Sequence, residues 1–143
     1  MNLDKRGIPL ISLDCPLCNL YNEDETHLFR DCEVAKRTLK EICRWWGIPT
    51  SFCQEQPLLF GWGEALNLKY GKLKAFMGIL FTFFWIIWKS RNGKVFSPLS
   101  QEKEALIFSQ IQAQSFFWLN QRSGNQDFNR RWSNWCCSPE SCF

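Results

Sequence analysis

Apolar residues recur at helical spacing through most of this chain, and no stretch alternates with the two-residue rhythm of a strand. Ala35, Leu39, Ile42 and Trp46 form one stripe, with Lys36, Arg37 and Lys40 on the other side. Gly47 and then Pro49 follow as stop signals, so the pattern predicts a helix over 33–46. A second, longer helix is predicted within 69–96. Its centre, 75–88, is an uncharged run of 14 residues, AFMGILFTFFWIIW, closed by Lys74 and Lys89. A third is predicted over 97–121. Ser97, Pro98 and Ser100 are good helix starters there, with Glu102 and Glu104 near the positive end of the helix dipole. Ala105, Phe108, Ile111 and Ser115 give it one apolar stripe, which Ile107 and Trp118 widen, and Trp85 and Trp88 of the second helix are expected to pack against this stripe and the one at 35–46. The expected fold class is therefore mainly α: a small stapled N-terminal loop and helix module followed by two or three longer helices.

The staple is the one chemically specific constellation. Cys15, Cys18, His27 and Cys32 are spaced C-x2-C-x8-H-x4-C. Three thiols and an imidazole complete a tetrahedral ligand set for zinc, and a closed set is structural because it leaves no position for an activated water. Pro16 suits the turn between the first two cysteines. The acidic run Glu23-Asp24-Glu25 and Thr26 stand where a helix can begin. On a regular helix His27 and Cys32 are expected to lean to one side. A Cys-x-x-Cys pair also serves redox chemistry or a disulfide framework, but no strand precedes it and no βαβ pattern surrounds it. The chain has a single histidine, and it falls inside the cysteine cluster. One structural Zn2+ bound by Cys15, Cys18, His27 and Cys32 is the expected cofactor.

Composition adds constraints. With 143 residues the chain has room for one domain with a core. It carries 13 Phe and 8 Trp, a load that leaves aromatic surface exposed unless a partner covers it. Self-association or a protein partner is expected on that ground. Net charge is +3, too mild to indicate nucleic acid by itself. The cluster is acidic and would repel phosphates. Residues 66–101 contain no Asp or Glu, while Lys69, Lys72, Lys74, Lys89, Arg91 and Lys94 are basic, which makes 69–94 the only candidate nucleic-acid patch. A membrane span through 75–88 is disfavoured, since a bilayer needs about 20 apolar residues. Of the 8 cysteines, Cys43 reads as a small buried apolar residue, and Cys136, Cys137 and Cys142 as an incomplete second metal set. The first residues have no apolar signal core, so an intracellular setting, nuclear or cytoplasmic, is expected.

These residues also carry a resemblance. Lys5-Arg6-Gly7-Ile8, the CPLC turn, Glu25-Thr26-His27-Leu28-Phe29, Cys32, Ala35 and the Trp45-Trp46 helix end resemble the zinc-binding domain that follows the reverse transcriptase of plant non-LTR, LINE-type retrotransposons. The block Trp85-Ile86-Ile87-Trp88-Lys89-Ser90-Arg91-Asn92, with Phe96 after it, is similar to a W-x-x-W-x-x-R-N segment downstream in those proteins. The likeness is close over 3–50 and loose over 72–120. The family's domain begins well upstream, so the resemblance implies a partial one, over 1–50. Residues 51–68 then read as a connector, 69–121 as an aromatic helical region, and 122–143 as a disordered tail with at most a short helical turn at 127–135. The parent acts in RNA-templated DNA synthesis. This chain has no Tyr-x-Asp-Asp signature for two-metal nucleotide transfer, and its tail offers only Asp127 and Glu140 toward a ribonuclease H centre. The expectation is a non-enzymatic zinc module. The alternatives are a zinc-stabilised helical interaction module and a small membrane-anchored protein.

Overall fold

A computed structural model describes residues 13–51, 66–96, 104–121 and 128–142 of the chain. The described residues are mainly helical. Four α-helices follow a looped N-terminal segment: α1 (Glu33–Trp45), α2 (Tyr70–Phe96), α3 (Ile107–Gln121) and α4 (Phe128–Cys137). A short 3-10 turn, Glu104–Leu106, leads into α3, and another, Pro139–Cys142, follows α4. The helix-start signals at Ser97, Pro98, Ser100 and Glu102 lie outside the described residues, as does most of the 51–68 connector.

α1 is the amphipathic helix its pattern predicts. Val34, Ala35, Thr38, Leu39, Ile42 and Cys43 are buried, while Lys36 and Arg37 are exposed. Its end is closed by backbone geometry. Gly47 takes φ +63°, its N–H donates to the Arg44 carbonyl at 3.1 Å, and the Ile48 N–H donates to the Cys43 carbonyl at 2.8 Å. That pair of bonds is the Schellman termination, which needs a left-handed residue at this position. Ile48 then turns back into the core. Cys43 is fully buried as expected, and it is also disulfide-bonded, which its helical context did not indicate.

α2 is the central helix. Its 27 residues span about 40 Å at ~1.5 Å per residue. By length and composition it passes as a membrane span, yet 44% of its apolar window is buried inside the protein itself. Phe76, Ile79, Leu80, Phe83, Ile86 and Ile87 make the core face, packed mainly on α3 through Ile107, Ile111 and Phe116. The buried hydroxyls of Thr82 and Ser115 donate to the carbonyls of Gly78 and Ile111 at 2.8 and 2.6 Å, so neither is left without a partner. Trp85 and Trp88 correct a natural expectation. As the largest residues of the run they were expected to pack on the α1 and α3 stripes. Instead they are 48% and 46% exposed and stack on each other, ring centroids 5.2 Å apart. Phe81, at 57%, extends the same outer ridge.

The C-terminal segment is the second correction. Where a disordered tail with at most a short helical turn at 127–135 was expected, the helix α4 forms and docks Trp135 into the core at 1% exposure. The Trp135 indole N–H donates to the Gln112 carbonyl of α3 at 3.0 Å. Its own carbonyl accepts the Trp45 indole N–H at 2.9 Å, and its ring meets Trp45 edge-on at 5.1 Å. Trp132 packs against Phe116 in the same way. A ten-residue helix has little stability alone; these contacts to α1 and α3 are what hold it.

Two outcomes follow from this packing. Trp135→Ala removes the largest fully buried side chain and is expected to cost about 3–5 kcal/mol. Gly47→Ala, which forces a Cβ into the left-handed region, is expected to cost about 1–2 kcal/mol. Urea denaturation midpoints followed by tryptophan fluorescence check both, with Gly71→Ala, set in open space on α2, expected to leave stability unchanged or raised.

Candidate metal centre

The loop carrying the first two cysteines is shaped by its own backbone. An isolated antiparallel bridge pairs Asp14 with Asn22. The Cys15 N–H donates to the Tyr21 carbonyl and the Glu23 N–H to the Leu13 carbonyl, both at 2.8 Å. The Asn19 N–H closes the turn by donating to the Cys15 carbonyl, and Asn19 takes φ +54°. Asparagine tolerates that left-handed conformation better than most residues. Cys15 and Leu17 face inward and Cys18 is half-buried, so both sulfurs of the pair end on one side of the turn.

His27 and Cys32 arrive by a device that helical periodicity does not contain. On a regular α-helix a residue five positions on lies about 140° around the axis, so the expectation that both lean to one side does not hold for that geometry. His27–Asp31 instead forms a π-helical turn, and the Cys32 N–H donates to the His27 carbonyl at 2.6 Å. The wider turn brings positions five apart into line. Asp24 starts it, accepting the His27 N–H on Oδ1 at 2.6 Å, whereas Thr26 makes no side-chain cap. Cys32 is also the N-cap residue of α1, at the positive end of that helix.

The four ligand atoms all lie within 4.8 Å of one another, and the set can hold a metal ion. The sulfurs of Cys15 and Cys32 are 3.9 Å apart, and the Cys18 sulfur is 3.3 Å from His27 Nε2. All three cysteines are free thiols, which removes the disulfide alternative for this pair. Cys15, Cys32 and His27 are buried. The Tyr21 ring rests on the imidazole with centroids 5.8 Å apart. The two buried thiols differ in acidity. Cys15 donates to Cys32, and this bond together with burial pushes the Cys15 thiol far above its ordinary range. The same bond, with the Val34 and Ala35 N–H groups, holds Cys32 below its ordinary value.

The second cysteine group behaves differently. Burial raises the thiols of Cys136 and Cys142 above their ordinary range. Among the described residues, Cys15, Cys18, His27 and Cys32 are the group gathered for a metal. What sequence reasoning missed lies beside it. Arg91 of α2 reaches the loop and forks onto the Glu23 carboxylate, Nε to Oε2 and Nη2 to Oε1, both at 2.9 Å. Lys94 donates to the Leu17 carbonyl, inside the CPLC turn, at 3.4 Å. Phe29 meets Phe84 of α2 edge-on at 5.5 Å. The basic run 69–94 was legible; that Arg91 turns inward to an acid of the loop was not.

No protein-family model, curated protein or solved structure matches this chain.

Metal binding must displace the proton held on Cys15. The protein with its thiol protonated binds fewer metal ions, so apparent affinity is expected to rise with pH across the neutral range. Competition with a chromophoric chelator between pH 6 and 8 measures this, and an affinity flat over that range would contradict it.

Proposed function

We propose that this chain is a non-catalytic module built on one structural zinc ion, held by Cys15, Cys18, His27 and Cys32. The observation that carries the reading is the convergence of three sulfurs and one imidazole nitrogen within 4.8 Å. Metal–sulfur bonds of about 2.3 Å set tetrahedral sulfurs about 3.8 Å apart and a sulfur about 3.5 Å from an imidazole nitrogen. The separations of 3.9 and 3.3 Å fit that tetrahedron. Soft thiolates with one imidazole select zinc over magnesium or calcium. Four protein ligands fill the coordination sphere, so zinc here organises the fold and does not present a water for chemistry.

The module's origin belongs to the same proposal. The CPLC, Glu-Thr-His-Leu-Phe, Cys32 and Trp-Trp sequence supports descent from the zinc-binding domain of a plant LINE-type reverse transcriptase, whose parent works in RNA-templated DNA synthesis. The genomic sequence upstream of this reading frame tests that descent: polymerase-coding remnants are expected, and their absence together with unrelated flanking sequence would remove the support. A second reading, an interaction module, is favoured by the outer ridge of Phe81, Trp85 and Trp88. That ridge borders a cavity of about 460 Å³ between α2 and α3, lined by Gly78, Phe81, Ser115, Trp118, Leu119 and Gln121.

Native mass spectrometry of protein refolded with zinc is expected to show one zinc ion per chain, and none for Cys18→Ser. Structural zinc supplies about 10–16 kcal/mol of apparent binding free energy in small finger peptides. Chelation is therefore expected to unfold the region around 13–32, read by limited proteolysis. The same protein is expected to extend no primer on an RNA template. Extension that survives repurification and disappears on mutating an acidic residue would overturn the non-catalytic assignment.

A further inference from the structure

We infer that Glu23 and Arg91 couple metal binding at the cysteine–histidine cluster to the docking of α2, with Arg91 acting as a positioning residue for the metal loop. The inference rests on the zinc reading above. It starts from burial. The side chains of Arg91 and Glu23 are 9% and 7% exposed, and they lie 68 residues apart in the chain. The guanidinium makes three contacts of 2.9 to 3.1 Å to the one carboxylate, and its remaining arm donates to Asn92 Oδ1 at 3.1 Å. A forked charge-assisted pair of this kind fixes distance and orientation together.

Glu23 is placed by the metal loop. Its N–H is tied to Leu13 across the mouth of the turn, and it stands between Cys18 and His27. Its neighbour Asp24 is occupied by the His27 N–H. The carboxylate therefore reaches Arg91 only while the loop keeps the shape that gathers the ligands. Lys94, nearly one turn further along α2, reaches the Leu17 carbonyl between the two cysteines. Three thiolates around a divalent ion leave the cluster net negative, and Arg91 and Lys94 set cationic charge against it. Removing either member of the buried pair takes away the opposite charge that the fork holds against the other, and breaking a buried pair in this way is costly. The loop and the helix end must then move apart to rehydrate the member that remains. Coupling of this kind is reciprocal: metal holds the C-terminal turns of α2 in place, and α2 holds the metal loop in its binding shape.

The experiment is zinc titration of the full chain against a chromophoric chelator. Wild type, Glu23→Gln, Arg91→Met, the double variant and Lys74→Ala are compared, with amide hydrogen exchange along α2 measured with and without zinc. Each single variant is expected to bind zinc 10–100-fold more weakly, as loss of outer-shell partners does elsewhere. The double variant is expected to be no weaker than the weaker single, because one interaction is lost once. Lys74→Ala, exposed on the same helix, is expected to bind as wild type does. Zinc is expected to slow exchange over 86–96 in wild type and not in Arg91→Met. If Arg91→Met does not fold, Arg91→Lys keeps the charge without the fork and is expected to lose about tenfold. Wild-type zinc affinity in Glu23→Gln and in whichever arginine variant folds, with zinc-dependent protection of α2 intact, would overturn the coupling and leave the metal site standing. A wild-type chain that takes up no zinc would overturn the metal reading itself, and the coupling with it.

Discussion

A guanidinium nine-tenths buried must have its counter-charge within reach, and in this chain the counter-charge is 68 residues away on the loop that gathers the metal ligands. Much of the architecture is arranged around that requirement. The loop is too short to have a core of its own. It is closed by a few backbone bonds, a π-helical turn and the ligand cluster. Arg91, Lys94 and the Phe29–Phe84 contact attach it to α2, while Cys32 joins it directly to the start of α1. The metal centre and the helical body each lack something the other supplies.

The helical body is an aromatic assembly with two unlike faces. Toward the inside, Phe76, Phe83, Phe116 and Trp135 interlock with the aliphatic residues of α2 and α3. Toward the outside, Phe81, Trp85 and Trp88 stay open to solvent, and Trp85 and Trp88 cover part of each other by stacking. The three rings form one exposed apolar ridge along α2. Lys74 and Lys89, exposed at either end of it, raise the charge around the ridge without covering it. The chain also contains thiols in two states. Cys43, a residue of α1, is disulfide-bonded, while Cys15, Cys18 and Cys32 are free at the candidate metal site. Disulfides and thiol-bound metals ordinarily belong to different redox settings, so the two features place opposed demands on the surroundings of this protein.

Local residues by themselves determined a good part of this. The amphipathic stripe of α1, its stop at Gly47, the apolar run of α2 and the spacing of Cys15, Cys18, His27 and Cys32 are all short-range signals. Each reflects a physical rule that acts within a few residues: a helical period, a left-handed terminator, ligands at turn spacing. What only the tertiary structure decided are the long-range choices. Trp85 and Trp88 face out while Phe83 and Ile87 face in, because α2 is apolar on nearly every side and only its neighbours select the buried one. Trp135 is a core residue because α1 and α3 offer its backbone and indole hydrogen-bond partners; the helical spacing of Trp132 and Trp135 allows one apolar face there but does not say what covers it. Arg91 looks like the rest of a basic flank until the loop brings Glu23 to it. His27 meets Cys32 through a π-helical turn, which the regular helical period excludes. Sequence period reports which residues can be apolar together; which charge and which ring are finally buried depends on partners 23 to 90 positions away.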